Sequence, residues 1–126
     1  MKIKKRANFP SCIRHYKELK GICVGECIDK NVTIDKNHVA HAHCYDGDPH
    51  QGWICVRCKY HLKVKLLMLH EVAHLIACQT KGTPPHGKIW RDVLNQMGGT
   101  HKGYKYKDTA GRIHQTVDYT YRPRKI

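Results

Sequence analysis

From Leu66 to Cys78 the chain is apolar on nearly every side of a helix, at about 100° per residue. Leu66, Leu67, Met68, Leu69, Val72, Ala73, Leu75, Ile76, Ala77 and Cys78 leave no polar face. Such a helix is buried, and the pattern predicts one over residues 61–80, ended by Gly82. The strongly polar side chains inside it are His70, Glu71 and His74. They fall within about 100° of one another on the wheel. Buried polar groups need partners, and three on one arc point to a shared one.

Downstream, Pro84 and Pro85 set up a second helix from His86 to Met97, stopped by Gly98 and Gly99. Its apolar stripe is Ile89, Trp90, Val93, Leu94 and Met97. His86 lies one turn earlier and is expected to face the core. Upstream, Ser11 can cap a short helix reaching Leu19 and Lys20. Residues 22–34 read as one or two short strands. The runs 38–45 and 52–57 flank Asp46, Gly47, Asp48 and Pro49, which is strong turn chemistry. A hairpin read from that turn places Cys44 opposite Cys55. A second hairpin is expected after residue 100, with Tyr104 and Tyr106 on one arm and a turn at Asp108 to Gly111. Ile113, Val117, Tyr119 and Tyr121 would share a face of the other arm. The class is α+β: a short sheet, a buried helix and a second helix in residues 1–99, then a basic, tyrosine-rich hairpin over 100–126.

The 126 residues allow one compact core. A composition 40% hydrophobic and 26% charged is that of a globular chain. Charge changes the picture more. Twenty-three Lys and Arg oppose ten Asp and Glu, a formal net charge of +13. That field attracts polyanions, nucleic acid first among them. No run of apolar residues is long enough to span a bilayer, so no membrane partner is expected. The opening MKIKKRANFP lacks the apolar stretch of a secretory signal. The seven cysteines are therefore expected as reduced thiols, and the protein as cytoplasmic, associated with nucleoid or nucleus if it binds DNA.

His70-Glu71-Val72-Ala73-His74 is an HExxH motif on the predicted helix. The i, i+4 spacing stacks two imidazoles where both reach one zinc ion. Glu71 lies beside them, placed to take a proton from water as general base. Random order of this composition would give only about 0.02 such matches. Catalytic zinc takes three protein ligands and keeps one position open. No Glu follows Glu71, and Ala77 and Thr80 stand where a metzincin needs Gly and His. His86, Asp92, His101, Asp108, His114 and Asp118 remain. His86 is best placed, because the helix it opens must pack on the first; Asp92 is the runner-up.

HEVAH followed after an eleven-residue gap by His86-Gly87-Lys88-Ile89-Trp90 resembles the SprT-like metalloproteases, to which the Spartan DNA–protein crosslink proteases belong. The resemblance is specific across residues 66–99. It implies a minimal zincin-like domain, one catalytic zinc on His70, His74 and His86, Glu71 as base, and proteolysis of proteins on DNA. Many members carry a zinc ribbon with paired cysteines after the second helix. Here no cysteine follows Cys78, so the tail is expected as a metal-free hairpin.

Lys102, Lys105, Lys107, Arg112, Arg122 and Arg124 interleave with Tyr104 and Tyr106 in the tail. Cations can follow phosphates while aromatic rings stack on unpaired bases, so single-stranded DNA is the favoured nucleic acid. Cys23, Cys27, Cys55 and Cys58 have a permissible spacing for a four-thiolate zinc site. They are read instead as small core residues, without a second zinc. His41 and His43 are read as surface residues. The leading expectation is a monomeric zinc endopeptidase acting on DNA-associated protein. The rival is a nucleic-acid-binding module whose zinc is structural, against which an intact Glu71 argues.

Overall fold

The computed structural model describes residues 2–34, 38–44, 47–80 and 82–120. Four strands form one sheet: β1 (Lys2–Lys4), β2 (Gly21–Val24), β3 (Ala40–Ala42) and β4 (Trp53–Val56), in the order β1-β2-β4-β3. β1 runs antiparallel to β2, β2 parallel to β4, and β3 antiparallel to β4. Two helices follow, α1 (Lys65–Ala77) and α2 (Lys88–Gln96), then the hairpin β5 (Lys105–Lys107) and β6 (Ile113–Gln115). The class is α+β, as expected.

β2 and β4 read GICV and WICV, continuous apolar runs without polar alternation. Strands buried on both faces read this way. Their register pairs Ile22 with Ile54, Cys23 with Cys55 and Val24 with Val56. Side chains alternate across a sheet. Ile22, Val24, Ile54 and Val56 join the main core with Met68, Val72 and Leu75 of α1 and Trp90 and Leu94 of α2. Cys23 and Cys55 point the other way, into a second buried group with Cys27, enclosed by Ile28, Val32, Ile34 and Trp53. Gly21 lets the Trp53 ring lie across it, since a Cβ there would come within 2.5 Å of the indole.

Several sequence expectations change. Residues 11–20 form successive turns and no α-helix. Ile13 and Leu19 anchor them at 0% exposure. On a helix these two side chains would lie about 120° apart, and one face could not bury both. Past Val24 no strand continues to residue 34. β1 was not foreseen, its three residues holding a single apolar side chain. Ile113 and Val117 do not share a buried face; they are 74% and 63% exposed.

The largest correction concerns the first hairpin. Cys55 pairs with His41, not Cys44. The turn is centred on Asp48, whose carboxylate accepts the His50 N–H at 2.8 Å and whose carbonyl accepts the Gln51 N–H at 3.0 Å. The register is displaced by three residues, an odd number, so every side chain of this arm changes face. Cys44 turns toward α1, its thiol donating to the His74 carbonyl at 3.2 Å. His43 turns to the face of Cys55 and is 1% exposed, so it is not a surface residue.

Candidate metal centre

α1 carries His70, Glu71 and His74 as the spacing predicted. His86 comes by a different route. It does not open α2; Gly87 caps that helix. Among the described residues His86 is the one non-glycine with positive φ, at 60°. A left-handed histidine is strained backbone, kept only where its surroundings hold it. Pro84 lies so close to Gly87 that a Cβ there would meet it at 2.8 Å. The strained residue turns its ring onto α1.

The three Nε2 atoms converge. His74 is 3.2 Å from His70 and 3.0 Å from His86, and His86 is 3.3 Å from His70. A tetrahedral zinc spaces its imidazole nitrogens by about 3.3 Å. Burial pushes His70 down to about 3 and lowers His74 and His86 as well. The rings are therefore neutral near pH 7, the form that ligates metal. Three lone-pair donors facing one point, with no cation among them from the chain, fit a zinc site. Glu71 sits beside them, its Oε1 3.9 Å from His70 Nε2. Burial raises its carboxyl from 4.5 to about 8.

Trp90 of α2 is the floor. It is fully buried, and its indole N–H donates to the His70 carbonyl at 3.3 Å. Its ring meets all three imidazoles at centroid distances of 4.8, 5.2 and 4.7 Å. Tyr119 covers the other side, stacked on His86 at 3.9 Å and 17°. Its backbone N–H donates to the His101 carbonyl at 2.8 Å, which brings the tail back over the site. Sequence reasoning missed Tyr119 as a site residue; only its place among the tail tyrosines could have flagged it.

Asp92, the runner-up ligand, stands apart in an exposed pair with Lys88 at 2.9 Å. His101 instead bonds Asn95. Asp108 and His114 form a separate group with His61. There Asp108 accepts from the Ala110 and Arg112 backbone and from His114 Nε2 at 2.9 Å, and its other neighbour is His61 Nε2 at 3.9 Å. That group fastens the hairpin to residues 59–61, helped by the Thr109 N–H bonding to the Tyr60 carbonyl.

A cleft of about 920 Å³ opens over the imidazoles. Residues 38–42 form one wall; Tyr104, Tyr106, Gln115 and Val117 form another. β3 is the edge strand of its sheet, so its outer backbone groups can pair with an extended chain. The tail residues separate by face. Tyr104 and Tyr106 are half-buried and line the cleft, whereas Lys102, Lys105, Lys107 and Arg112 are exposed. Arg122 and Arg124 lie outside the described residues.

Residues 57–116 match the model of the SprT-like family. Over these residues the chain is similar to that family. The SprT-like segment holds all three imidazoles, Glu71 and Trp90, and runs past residue 99 through both strands of the hairpin. That similarity points to chemistry of the zinc metalloprotease type. Comparison with curated proteins and with solved structures gave no match. No helix among the described residues is long and apolar enough to cross a membrane.

Proposed function

We propose that this protein is a zinc-dependent endopeptidase with a minimal zincin-like centre, acting on proteins bound or crosslinked to DNA. The convergence of three neutral Nε2 atoms beside a buried carboxylate, on the floor of a large cleft, carries the reading. A purely structural metal site needs neither the cleft nor the carboxylate.

Zinc, when bound by His70, His74 and His86, would supply a Lewis acid that polarises the scissile carbonyl and acidifies a water. The protein's own groups do the rest. The β3 edge would hold the substrate backbone extended across the cleft by strand addition. Glu71, ionised once a cation stands beside it, would take the water's proton at its carboxylate and return it to the departing amine. Trp90 and Tyr119 would fix the imidazole planes, so that the ligands cost little reorganisation.

The preference for DNA-bound substrate rests on charge. With a net charge of +13 and Lys102, Lys105, Lys107 and Arg112 directed outward, the hairpin offers a cationic rim beside the cleft. Because the tyrosines turn inward, the lysines are the groups that would meet phosphate. A monomer in the cytoplasm or nucleus accommodates this reading.

The test is cleavage of one substrate protein, free and bound to single-stranded DNA, with chelator and with zinc restored. Chelator-sensitive cleavage that is faster on DNA is the expected result. Replacing Lys102, Lys105 and Lys107 with Ala should remove the DNA advantage and flatten its salt dependence by about 0.7 per lost phosphate contact. If neither substrate is cut under any zinc condition, the reading fails.

A further inference from the structure

The buried group behind the sheet invites a second metal. Cys27, His43 and Cys55 come from three separate segments, and their donor atoms lie within 4.8 Å of one another. His43 Nε2 is 3.2 Å from Cys27 Sγ and 3.3 Å from Cys55 Sγ. On its far side His43 Nδ1 meets Asp48 Oδ2 at 3.1 Å. A carboxylate at Nδ1 assigns the proton there and leaves the Nε2 lone pair facing the sulfurs. One lone pair can accept from only one thiol, yet two sulfurs crowd it. Cys55 Sγ also receives the Ile28 backbone N–H at 3.2 Å, a bond that favours a thiolate over a thiol.

Packing alone gives a weak account of this group. Cysteine is an acceptable small core residue, but an imidazole with a carboxylate behind it is a costly way to fill an apolar pocket. Carboxylate behind histidine, with thiols in front, is the usual second layer of a zinc site. Tetrahedral zinc with sulfur and imidazole ligands sets S–N separations of about 3.5 Å, close to those seen.

We propose that Cys27, His43 and Cys55 bind a structural zinc ion, with Cys23 as fourth ligand. Cys23 is the remaining sulfur of the cluster, the register partner of Cys55, and fully buried. Its thiol donates to the Glu26 carbonyl at 3.1 Å, and a side-chain rotation would turn it to the other three. Cys58 takes no part; its sulfur sits 3.2 Å from His61 Nδ1. The site ties the 25–34 segment and the β3–β4 turn to strands only three or four residues long. In so small a sheet such a cross-link replaces core that the chain lacks. The four-ligand shell, buried and outside the large cleft, has no open position for substrate. It is independent of the peptidase reading.

The test is cobalt substitution with elemental analysis of the full chain. The expected result is two metals per chain and a thiolate-to-cobalt charge-transfer band. Cys27→Ser should lose the band and one metal; His70→Ala with His74→Ala should lose one metal and keep the band. If Cys27→Ser does not fold, Asp48→Asn keeps every ligand and should weaken retention of the band-bearing metal about 10- to 100-fold. Absence of the band in the wild type, or its persistence in Cys27→Ser or at undiminished affinity in Asp48→Asn, would overturn the proposal.

Discussion

The imidazole cluster and the sulfur cluster lie on opposite sides of one sheet, and their surroundings differ more than their geometry. The first draws its donors from a short stretch, His70 to His86, the second from three separate segments. The imidazoles come from α1 and from the turn before α2, are only partly buried, and open onto a cleft. The sulfurs and His43 are sealed by Ile28, Val32, Ile34 and Trp53. An ion in the first place can exchange a ligand with substrate; an ion in the second can only hold chain together. The carboxylates repeat the contrast. Glu71 stands on the Nε2 side of His70, at 3.9 Å, and Asp48 stands behind His43 at Nδ1, where it can only orient the ring.

The largest effect should come from removing the ligand held by strained backbone. Asn tolerates a left-handed conformation, so His86→Asn separates loss of the imidazole from loss of the turn. Zinc retention at the open site should fall at least 100-fold, on the order of the largest losses seen even for second-layer changes, and peptidase activity should fall with it. The melting temperature of the metal-free protein should hardly move. A variant that loses activity and keeps both metals would make His86 a substrate-binding residue and break the contrast between the sites.

A smaller effect separates the groups of the open site by pH in the metal-free protein. Burial raises Glu71 from 4.5 to about 8, so the folded state binds the extra proton across that window. Its contribution to stability is complete below 4.5 and is lost as pH rises through 8. His70 behaves oppositely. Its value drops from 6.5 to about 3, so the unfolded state takes the proton first and stability falls as pH drops below 6.5. Melting temperatures measured against pH should therefore decline at both ends, and Glu71→Gln should remove the alkaline decline alone. An unchanged alkaline limb would show that Glu71 is ionised before any cation arrives.

How much of this the sequence disclosed follows the range of the interactions. α1 and its His70, Glu71 and His74 were legible because their spacing lies within one helix. His86 could be reached by elimination and by resemblance, but its left-handed backbone could not, since Pro84 and Gly87 set it through contact. The sulfur site was half visible: Cys23, Cys27 and Cys55 were recognised as a possible set, and Cys58 took the place that belongs to His43. The reason was register. A three-residue displacement at the first hairpin put Cys44 beside Cys55 and sent His43 to the wrong face. Asp48, whose carboxylate caps the turn, held the missing information. Tyr119 lay beyond reach because it meets His86 across a chain separation that no local pattern encodes.

The central claim is that the open site is the one built for chemistry, with Glu71 as its base. Glu71→Gln tests it most directly, assayed for cleavage of a protein substrate with metal content measured on the same sample. Gln keeps the shape and cannot accept the proton, which should cost at least about 100-fold in rate, general-base catalysis being worth about 10²–10⁴-fold. The predicted result is that loss with both metals retained. Cleavage at the wild-type rate, with the same metal content, would contradict the account.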